Sequence, residues 1–353
     1  MTVPPEAGGA GYRLVEDADL RGRNTFGVPA RARLLVEVDT LQAIPALLGS
    51  DRLREASLMP LGSGSNLLFA ADPDAVLLSI RADAMAIVAE RDPRHVVFRA
   101  EAGAGWHACV LRSLALGLGG LENLALVPGT VGASPIQNIG AYGVELDSRV
   151  HEVEAWDRDT RRMVRLSREA CGFGYRDSRF KREPDRWLVT AVEFALSREP
   201  VLVLDYAGLR DELAAAPGST RSAADVADAV CRIRRRKLPD PAVIGNAGSF
   251  FKNPVVPGAQ ARQLLATHPG MPVFGAADGR SKLSAAWLID ACGWKGHRDG
   301  DAGVSATHAL VLVNHGGAQG RDLLALARRI AASVQDRFGV ALQPEPRIVG
   351  ACW

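Results

Sequence analysis

The chain has 353 residues, of which 47% are hydrophobic and 23% charged, as is typical of a globular protein with two or three domains. A net charge of +2 excludes general affinity for polyanions, so nucleic-acid binding would require a clustered basic face. The five cysteines are odd in number and form no CxxC pair, which predicts reduced thiols and neither disulfides nor a metal site. No apolar run approaches the roughly 20 residues that span a bilayer, and no signal peptide is visible. We therefore predict a cytoplasmic protein without a membrane partner.

In chain order, a flexible N-terminus is predicted for residues 1–19, followed by short strands and helices separated by glycine turns. The hydrophobic patterns predict helices at Leu41–Leu48, capped by Thr40, and at Trp106–Ala115. They predict strands at Ala32–Val38, Ala75–Ile80, Val96–Ala102, His151–Trp156 and Leu188–Leu196.

The second half begins with a flexible loop predicted at Ala214–Thr220. Helices are predicted at Ala223–Arg235, capped by Ser222, and at Ser284–Cys292 and Asp322–Phe338. Leu323, Ala327, Ile330, Val334 and Phe338 form an apolar stripe, which indicates core packing. Strands are predicted at Ala309–Val313 and Val340–Gly350.

The stretch Leu121–Gly143 reads LENLALVPGTVGASPIQNIGAYG and combines an apolar start, several glycines and almost no charge. Glycine lets backbone amides approach a ligand, and successive amides in such turns bind anions. Gln137 and Asn138 add hydrogen-bonding amides. A buried turn of any α/β enzyme would have this composition, but we favour a cradle for a large planar cofactor that carries phosphates.

A second glycine loop, Gly62–Asn66, reads GSGSN between two apolar segments. Two glycines leave the backbone amides accessible, and serine and asparagine side chains add hydrogen-bond donors that suit a phosphate. The loop is not the GxGxxG dinucleotide fingerprint. A plain strand–turn–strand explains it equally well.

Basic residues concentrate in two places. The stretch Phe173–Lys181, FGYRDSRFK, concentrates Tyr175, Arg176, Arg179 and Lys181. The alternatives are a solvated basic turn and an arginine that binds a carboxylate in fork geometry, with a tyrosine beside it. The other place is 232–237, where cations at a helix C-terminus are favoured by the helix dipole. One or two of these cations can instead face a pyrophosphate.

Ser249 lies in Gly245–Pro254, GNAGSFFKNP, beside two phenylalanines. A serine hydroxyl is a weak acid and protonates only a strongly basic acceptor, such as an enolate. The stretch is not the GxSxG turn of hydrolases. Glu345 lies between two prolines, an unusual place for a solvated carboxylate. A lone histidine such as His308 is most often a satisfied polar group.

Together these motifs resemble one enzyme family. From Asn24 to Gly350 the chain resembles the UDP-N-acetylenolpyruvoylglucosamine reductases, the FAD enzymes that make UDP-N-acetylmuramate for bacterial peptidoglycan. Seven motifs carry the resemblance, namely GSGSN, LENLALVPGTVGASPIQNIGAYG, FGYRDSRFK, KLPDP, GNAGSFFKNP, LSAAWLIDACGWKG and QPEPRIVG.

The resemblance implies an α+β fold. Two FAD-binding subdomains of the vanillyl-alcohol-oxidase (PCMH) type, at 20–80 and 81–237, precede an α+β substrate-binding domain at 238–325. A C-terminal helix and strand at 326–353 return to the flavin side. The Tyr206 stretch resembles the tyrosine-bearing insertion of one form of the family.

The activity implied is NADPH-dependent reduction of UDP-N-acetylglucosamine enolpyruvate through bound FAD. Hydride arrives on carbon 3 of the double bond, so negative charge builds on carbon 2 and its carboxylate. By similarity Arg176 stabilises that charge, and Ser249 protonates carbon 2. Glu345 either partners Arg176 or, if protonated, polarises the carboxylate.

The remaining site residues also follow from the resemblance. FAD is expected to contact Gly62, Ser63, Gly64, Ser65, Asn66, Gly129, Thr130, Gly132, Ala133, Gln137, Asn138 and Ala141. Substrate is expected to contact Tyr175, Tyr206, Arg234, Lys237, Asn253, Lys295 and His308. Some flavin relatives tether FAD through a histidine where Leu61 and Gly62 stand here, so we predict non-covalent FAD. We expect a monomer, and no metal and no nucleic acid.

Two other functions remain open. Another FAD-dependent oxidase or dehydrogenase of the same superfamily would share the glycine loops without needing Arg176, Ser249 and Glu345. A non-catalytic nucleotide-sugar or nucleic-acid binder would use residues 232–237. It would be colourless, or it would bind DNA with a strong dependence on salt.

Overall fold

The structure is a computed structural model that describes residues 11–215, 221–275 and 279–353. Most of the flexible loop predicted at 214–220, and the first ten residues of the predicted flexible N-terminus, lie outside these ranges. Contacts divide the chain into two compact units. The first unit comprises the residues up to Ala18, Ala32–Ser63 and Asp74–Arg234, and the second comprises Asp19–Arg31, Gly64–Pro73 and Arg235–Trp353.

The strands of the described residues are, in chain order, β1 Tyr12–Asp19, β2 Arg31–Val38, β3 Leu58–Pro60, β4 Leu67–Phe69, β5 Val76–Ile80, β6 Met85–Glu90, β7 His95–Glu101, β8 Gly140–Ala141, β9 Val144–Glu145, β10 Val150–Asp157, β11 Arg162–Ser167, β12 Trp187–Ser197, β13 Val255–Pro257, β14 Val273–Gly275, β15 Arg280–Leu283, β16 Arg298–Asp299, β17 Ala302–Val304, β18 Leu312–Asn314 and β19 Arg347–Val349.

The α-helices of the same residues are α1 Ile44–Gly49, α2 Trp106–Ala115, α3 Arg179–Arg182, α4 Leu209–Ala214, α5 Ala223–Lys237, α6 Gly258–Thr267, α7 Ala285–Ala291 and α8 Gly320–Phe338. Short 3₁₀ turns occur at Arg21–Arg23, Leu41–Ala43, Glu122–Leu124, Val131–Ala133 and Leu146–Ser148. None of the described helices is both long and apolar enough to span a bilayer.

The first unit is built on two main sheets, and its described residues add the two-stranded pair β8-β9. The smaller has the strand order β1-β2-β5-β3, in which β5 pairs in parallel with β2 and β3. The larger has the order β11-β10-β12-β7-β6 and is antiparallel throughout. The core beside the larger sheet contains Trp106 packed edge-on against Phe194, with their ring centroids 5.8 Å apart. Sheets and helices therefore share this unit, as the predicted α+β class requires.

The described residues of the second unit form three small sheets and the three helices α6, α7 and α8. Its sheets are β13-β15-β14, β16-β17-β18 and the parallel pair β19-β4. Helix α8 begins with a capping box between Gln319 and Asp322 and ends at Gly339, which has φ +64°. The predicted apolar stripe of α8 is buried along its whole length.

Four local predictions differ from the structure. Tyr12–Asp19 form a strand, so the flexible N-terminus predicted for 1–19 is wrong for these eight residues. Of the last predicted strand only Arg347–Val349 are regular, because prolines at 344 and 346 interrupt the donor pattern. The strand predicted at Ala309–Val313 is regular only from Leu312 to Asn314. Thr40 precedes its helical turn, but its side chain makes no capping hydrogen bond.

Candidate functional site

The loop 62–66 joins β3 to β4, and its geometry requires glycine. Gly64 has φ +65°, and a Cβ atom there would lie 2.1 Å from the carbonyl oxygen of Arg23. The N–H of Thr25 donates to the Gly64 carbonyl at 3.3 Å. This segment is therefore a closely packed turn with a fixed backbone.

The loop 129–133 lies beside residues 102–104, which precede α2. The N–H groups of Val131 and Gly132 donate to the carbonyls of Ala104 and Ala102 at 2.8 and 3.0 Å. A Cβ atom on Gly132 would lie 2.5 Å from the Cβ of Ala102. A Cβ atom on Gly62 would lie 2.8 Å from Oγ1 of Thr130, so the first unit brings residues of both predicted cofactor loops together.

The chemistry of these predicted cofactor residues suits FAD. None of the twelve side chains carries a charge, and the set offers backbone amides, hydroxyls and carboxamides. Such groups can donate hydrogen bonds to a diphosphate, and none of them carries a negative charge that would repel it. Gly62 and Gly132 let the loops pack closely within the protein, because a Cβ on either would meet Thr130 or Ala102. The residues present therefore fit the cofactor.

Arg176, the predicted charge-stabilising residue, lies against the predicted flavin stretch. Its Nη2 donates to the carbonyl of Gly140 at 2.6 Å and its Nη1 to that of Asn138 at 3.4 Å. Asn138 is fully buried and its Nδ2 donates to the carbonyl of Gly174 at 3.1 Å. The first unit thus ties the segment 138–140 to the turn that carries Arg176.

That turn is tight and strained. Gly174 and Asp177 exchange two backbone hydrogen bonds, of 3.0 and 3.1 Å, so Tyr175 and Arg176 form a two-residue loop. Arg176 has φ +52°, a left-handed conformation that is uncommon for residues other than glycine. Strain of this kind persists only where surrounding contacts enforce it, and it clusters at functional sites. Tyr175 is exposed, with its ring centroid 5.6 Å from the Arg176 guanidinium.

Two predicted substrate residues, Tyr206 and Arg234, meet at Tyr142. The rings of Tyr142 and Tyr206 pack edge-on with centroids 4.8 Å apart. The Arg234 guanidinium and Tyr142 influence each other electrostatically. Burial raises the pKa of Tyr142 and lowers that of Arg234, because each charged form loses water.

In the second unit, the backbone connects the predicted acid–base residues. The N–H of Glu345 donates to the carbonyl of Phe250 at 2.8 Å, and Nδ2 of Asn66 donates to the carbonyl of Glu345 at 3.3 Å. Phe251 forms an isolated bridge with Pro344. The Ser249 and Glu345 segments therefore lie side by side, with Asn66 next to them.

The segment around Ser249 is fixed on both sides. Ser249 bridges to Val311, and Gly248, with φ +68°, donates its N–H to Oδ1 of Asn246 at 3.0 Å. Phe250 is fully buried, and its ring centroid lies 6.3 Å from that of Phe26 and 5.1 Å from that of Phe251. Ser249 is half-buried at the edge of this apolar packing.

His308 lies within the electrostatic influence of two other predicted substrate residues, Lys237 and Lys295. Burial first, and then these two positive charges, lower the pKa of His308. Its Nδ1 accepts a hydrogen bond from the N–H of Leu310 at 3.3 Å, which leaves the proton on Nε2. His308 is therefore a neutral donor near neutral pH.

Asn253 has a structural partner. Its Oδ1 accepts from the N–H of Ala285 at 2.9 Å and so fixes the start of α7. Any contact with substrate is then left to its Nδ2.

Sequence reasoning missed Tyr142 and Asn123. Both lie inside the glycine stretch, and both carry the polar groups that a buried pocket requires. Asn123 is fully buried and Tyr142 has φ +49°. The sequence shows only a large aromatic between Ala141 and Gly143, and its left-handed conformation is visible only in the structure.

Comparison with known proteins gives consistent matches. The family model for an FAD binding domain matches residues 32–167, and that for the UDP-N-acetylenolpyruvoylglucosamine reductase C-terminal domain matches residues 240–349. UDP-N-acetylenolpyruvoylglucosamine reductases from Xanthomonas euvesicatoria pv. vesicatoria and Xanthomonas oryzae pv. oryzae are each 56% identical to this chain over 97% of its length and 98% of theirs. The crystal structure of UDP-N-acetylenolpyruvylglucosamine reductase from Thermus caldophilus, at 26% identity, aligns with a TM-score of 0.67 over 96% of this chain and 98% of its own.

Proposed function

The chain belongs to the UDP-N-acetylenolpyruvoylglucosamine reductase family, and from this premise we propose which of its residues carry out the reaction. The enzyme reduces UDP-N-acetylglucosamine enolpyruvate to UDP-N-acetylmuramate for peptidoglycan precursor synthesis, with FAD as cofactor and NADPH as reductant. The observation that carries our assignment of roles is Arg176, held in a left-handed turn with its guanidinium on the carbonyl of Gly140.

When bound, FAD delivers the reducing equivalents of NADPH to the substrate as a hydride. The loops 62–66 and 129–141 would hold it through uncharged donors such as Thr130. The buried Asn138 would act by fixing the loop backbone, because its side chain bonds to Gly174 and Asp147. The flavin is non-covalent in this proposal, since Leu61 and Gly62 offer no side chain that could tether it. Acid precipitation should then leave the yellow colour in the supernatant, whereas colour in the pellet would contradict non-covalent binding.

Arg176 stabilises the negative charge that develops on carbon 2 and the carboxylate of the substrate. A guanidinium that is already oriented costs little reorganisation when the charge develops. Two backbone carbonyls and the left-handed turn supply that orientation. The planar fork of Arg176 also matches a carboxylate in a way that lysine would not.

Ser249 donates the proton to carbon 2. The enolate formed by hydride addition is basic enough to accept a proton from a serine hydroxyl. Glu345 keeps the two roles that the sequence left open, as the partner of Arg176 or as a protonated carboxyl that polarises the substrate carboxylate. The fixed backbone of both segments supports these roles, because acid–base groups must be held in place.

The predicted substrate-binding residues keep their assignments within each unit taken by itself. In the second unit these are Lys237, Lys295, His308 and Asn253, and in the first unit Tyr206 and Arg234. Two observations support these assignments. The charges of Lys237 and Lys295 lower the pKa of His308. Tyr142 packs against Tyr206 and interacts electrostatically with Arg234. Tyr175 is assigned to the substrate next to Arg176.

We also assign the enzyme to the cytoplasm and to the monomeric state. The cytoplasmic assignment is supported by five cysteines that carry free thiols. Sedimentation velocity across a hundredfold range of protein concentration tests the monomer. A single species near the mass of one chain is expected, and a heavier species would contradict it.

The test of the function is an absorbance experiment on the purified protein. A flavin spectrum should bleach with NADPH in the absence of oxygen and recover when UDP-N-acetylglucosamine enolpyruvate is added. A bleached protein that recovers with oxygen but not with this substrate, and that consumes oxygen with small alcohols, would instead indicate an oxidase of the same superfamily. A colourless protein would show that no flavin is bound and would contradict the proposal.

A further inference from the structure

Tyr142 has no role in the reaction as described so far, although it lies one residue from the predicted FAD contact Ala141. Only 8% of its surface is exposed and its φ is +49°. A bulky side chain in the left-handed region is an outlier that its surroundings must enforce. The contacts that hold Tyr142 in this conformation therefore indicate its role.

The first contact is with the Tyr206 segment. The edge-on ring pair joins buried Tyr142 to Tyr206, whose side chain is 41% exposed. Asn123 reinforces the connection, since its Nδ2 donates to the carbonyls of Tyr142 and Val203, both at 2.8 Å. The segment 203–206 is thus attached to the Tyr142 turn by one aromatic contact and one shared carboxamide.

The second neighbour is Arg234. Tyr142 and the buried Arg234 guanidinium influence each other electrostatically. Nε of Arg234 is buried without a hydrogen-bond partner among the described residues. Tyr142 therefore lies beside two predicted substrate residues, and its ring is what packs against Tyr206.

We infer that Tyr142 is a positioning residue, whose ring holds Tyr206 in place for the diphosphate sugar of the substrate. This inference rests on the proposed function of Tyr206. Tyr142 connects the glycine stretch assigned to the cofactor with the insertion that carries Tyr206. The expected consequence is that substrate affinity depends on the ring at position 142 through Tyr206.

The experiment uses the holoenzyme and three single variants, Tyr142→Leu, Tyr142→Phe and Tyr206→Leu, with the double variant Tyr142→Leu/Tyr206→Leu. Leucine and phenylalanine are unbranched at Cβ, so neither adds a β-branch to the strained φ at position 142. The primary measurement is the Kd of UDP-N-acetylglucosamine enolpyruvate for the oxidised enzyme, followed by the change in flavin absorbance. Flavin content is measured alongside.

An aromatic pair of this geometry predicts that Tyr142→Leu raises Kd by about 3- to 10-fold. Tyr142→Phe keeps the ring and should stay within about threefold of the parent. Tyr206→Leu should weaken binding at least as much as Tyr142→Leu, and the double variant should resemble Tyr206→Leu alone. Flavin content should be unchanged in all four variants.

The inference is overturned if the Kd increases caused by Tyr142→Leu and Tyr206→Leu multiply in the double variant. It is also overturned if Tyr142→Phe raises Kd as much as Tyr142→Leu does. It is also overturned, while the role of Tyr206 stands, if Tyr206→Leu weakens binding and Tyr142→Leu does not. If Tyr206→Leu leaves Kd unchanged, the proposed role of Tyr206 fails, and with it any positioning role exerted through it. Loss of flavin in Tyr142→Leu would mean that the residue serves the cofactor loop, which also contradicts the inference.

Discussion

The N–H of Glu345 donates a hydrogen bond of 2.8 Å to the carbonyl oxygen of Phe250, the residue that follows Ser249. Two stretches that are far apart in sequence, GNAGSFFKNP and QPEPRIVG, are neighbours because of this pairing. The prolines on either side of Glu345 fix their own φ angles, and Asn66 anchors the Glu345 carbonyl. The second unit therefore presents both predicted acid–base residues on restrained backbone.

The first prediction concerns Arg176. Arg176→Lys keeps the charge but loses the planar fork and the two bonds to Asn138 and Gly140. Loss of an oriented charge stabiliser predicts a fall in kcat of about 10²–10³-fold, measured in the steady state. Arg179→Lys, on the neighbouring helix α3, is the matched control, because Arg179 pairs with Glu183 in a partly exposed site. If Arg176→Lys were as active as Arg179→Lys, the proposed role of Arg176 in the reaction would be contradicted.

The second prediction concerns packing in the cofactor loop. Gly132→Ala would introduce a Cβ atom 2.5 Å from the Cβ and 3.1 Å from the Cα of Ala102, where backbone must move. Overpacking of this kind predicts a loss of about 1–3 kcal/mol in unfolding free energy, with reduced flavin content. Gly49→Ala is the control, because a Cβ atom there meets nothing within 4 Å. Thermal and urea unfolding measure both variants, and equal stability would refute the close approach.

The third prediction is a pH dependence. Two hydrogen bonds of 3.0 Å from Arg186 hold the pKa of buried Asp157 at about 2, below its ordinary value of 3.8. A depressed carboxyl pKa stabilises the fold above the unfolded value, and that stability is lost as the pH falls from about 4 to about 2. Asp157→Asn should therefore cost about 2 kcal/mol near neutral pH, and the cost should shrink across this window.

The matched control for that experiment is Asp159→Asn. Asp159 also pairs with Arg186 at 3.0 Å, but its side chain is 66% exposed. An exposed pair is worth less than about 1 kcal/mol, so this variant should change stability little at any pH. Urea unfolding at several pH values gives both curves. A cost for Asp157→Asn that does not vary with pH would contradict the prediction.

The fourth prediction concerns His308. Lys237→Met removes one of the two positive charges that lower the pKa of this histidine, so that pKa should rise. Histidine NMR titration at low ionic strength measures the shift, and added salt should reduce the difference between variant and parent. Lys282→Met serves as the control, since Lys282 lies over the ring of Phe274 in the β13-β15-β14 sheet. An unchanged His308 pKa in Lys237→Met would show that the lysine does not act on it.

Much of the fold could be predicted because long periodic segments carry their own signal. Helices α2, α5 and α8 were predicted to within two residues at each end, since caps and apolar stripes are local features. Strands β13 to β17 have only two to four residues each and show no usable alternation. They form only in contact with one another, which a single sequence does not reveal.

The candidate site shows the same limit. The resemblance to a known family made Arg176, Ser249 and Glu345 candidates, but it did not reveal the contacts that restrain them. The parallel pairing of β4 with β19 joins residues near 67 to residues near 347, and no local pattern encodes it. Tyr142 was overlooked because its importance lies in a backbone angle and in two partners brought to it by the fold.

The most direct test of the central claim is rapid-mixing kinetics on Ser249→Ala, with each half of the reaction followed through flavin absorbance. Bleaching by NADPH should match the parent enzyme, whereas turnover of UDP-N-acetylglucosamine enolpyruvate should fall by about 10²–10⁴-fold, because only the second half needs the proton of Ser249. Ser113→Ala is the control, since its hydroxyl donates to the Val110 carbonyl at 2.8 Å within α2. Bleaching lost together with turnover, or turnover close to that of the parent, would contradict the assignment of Ser249 as the proton donor.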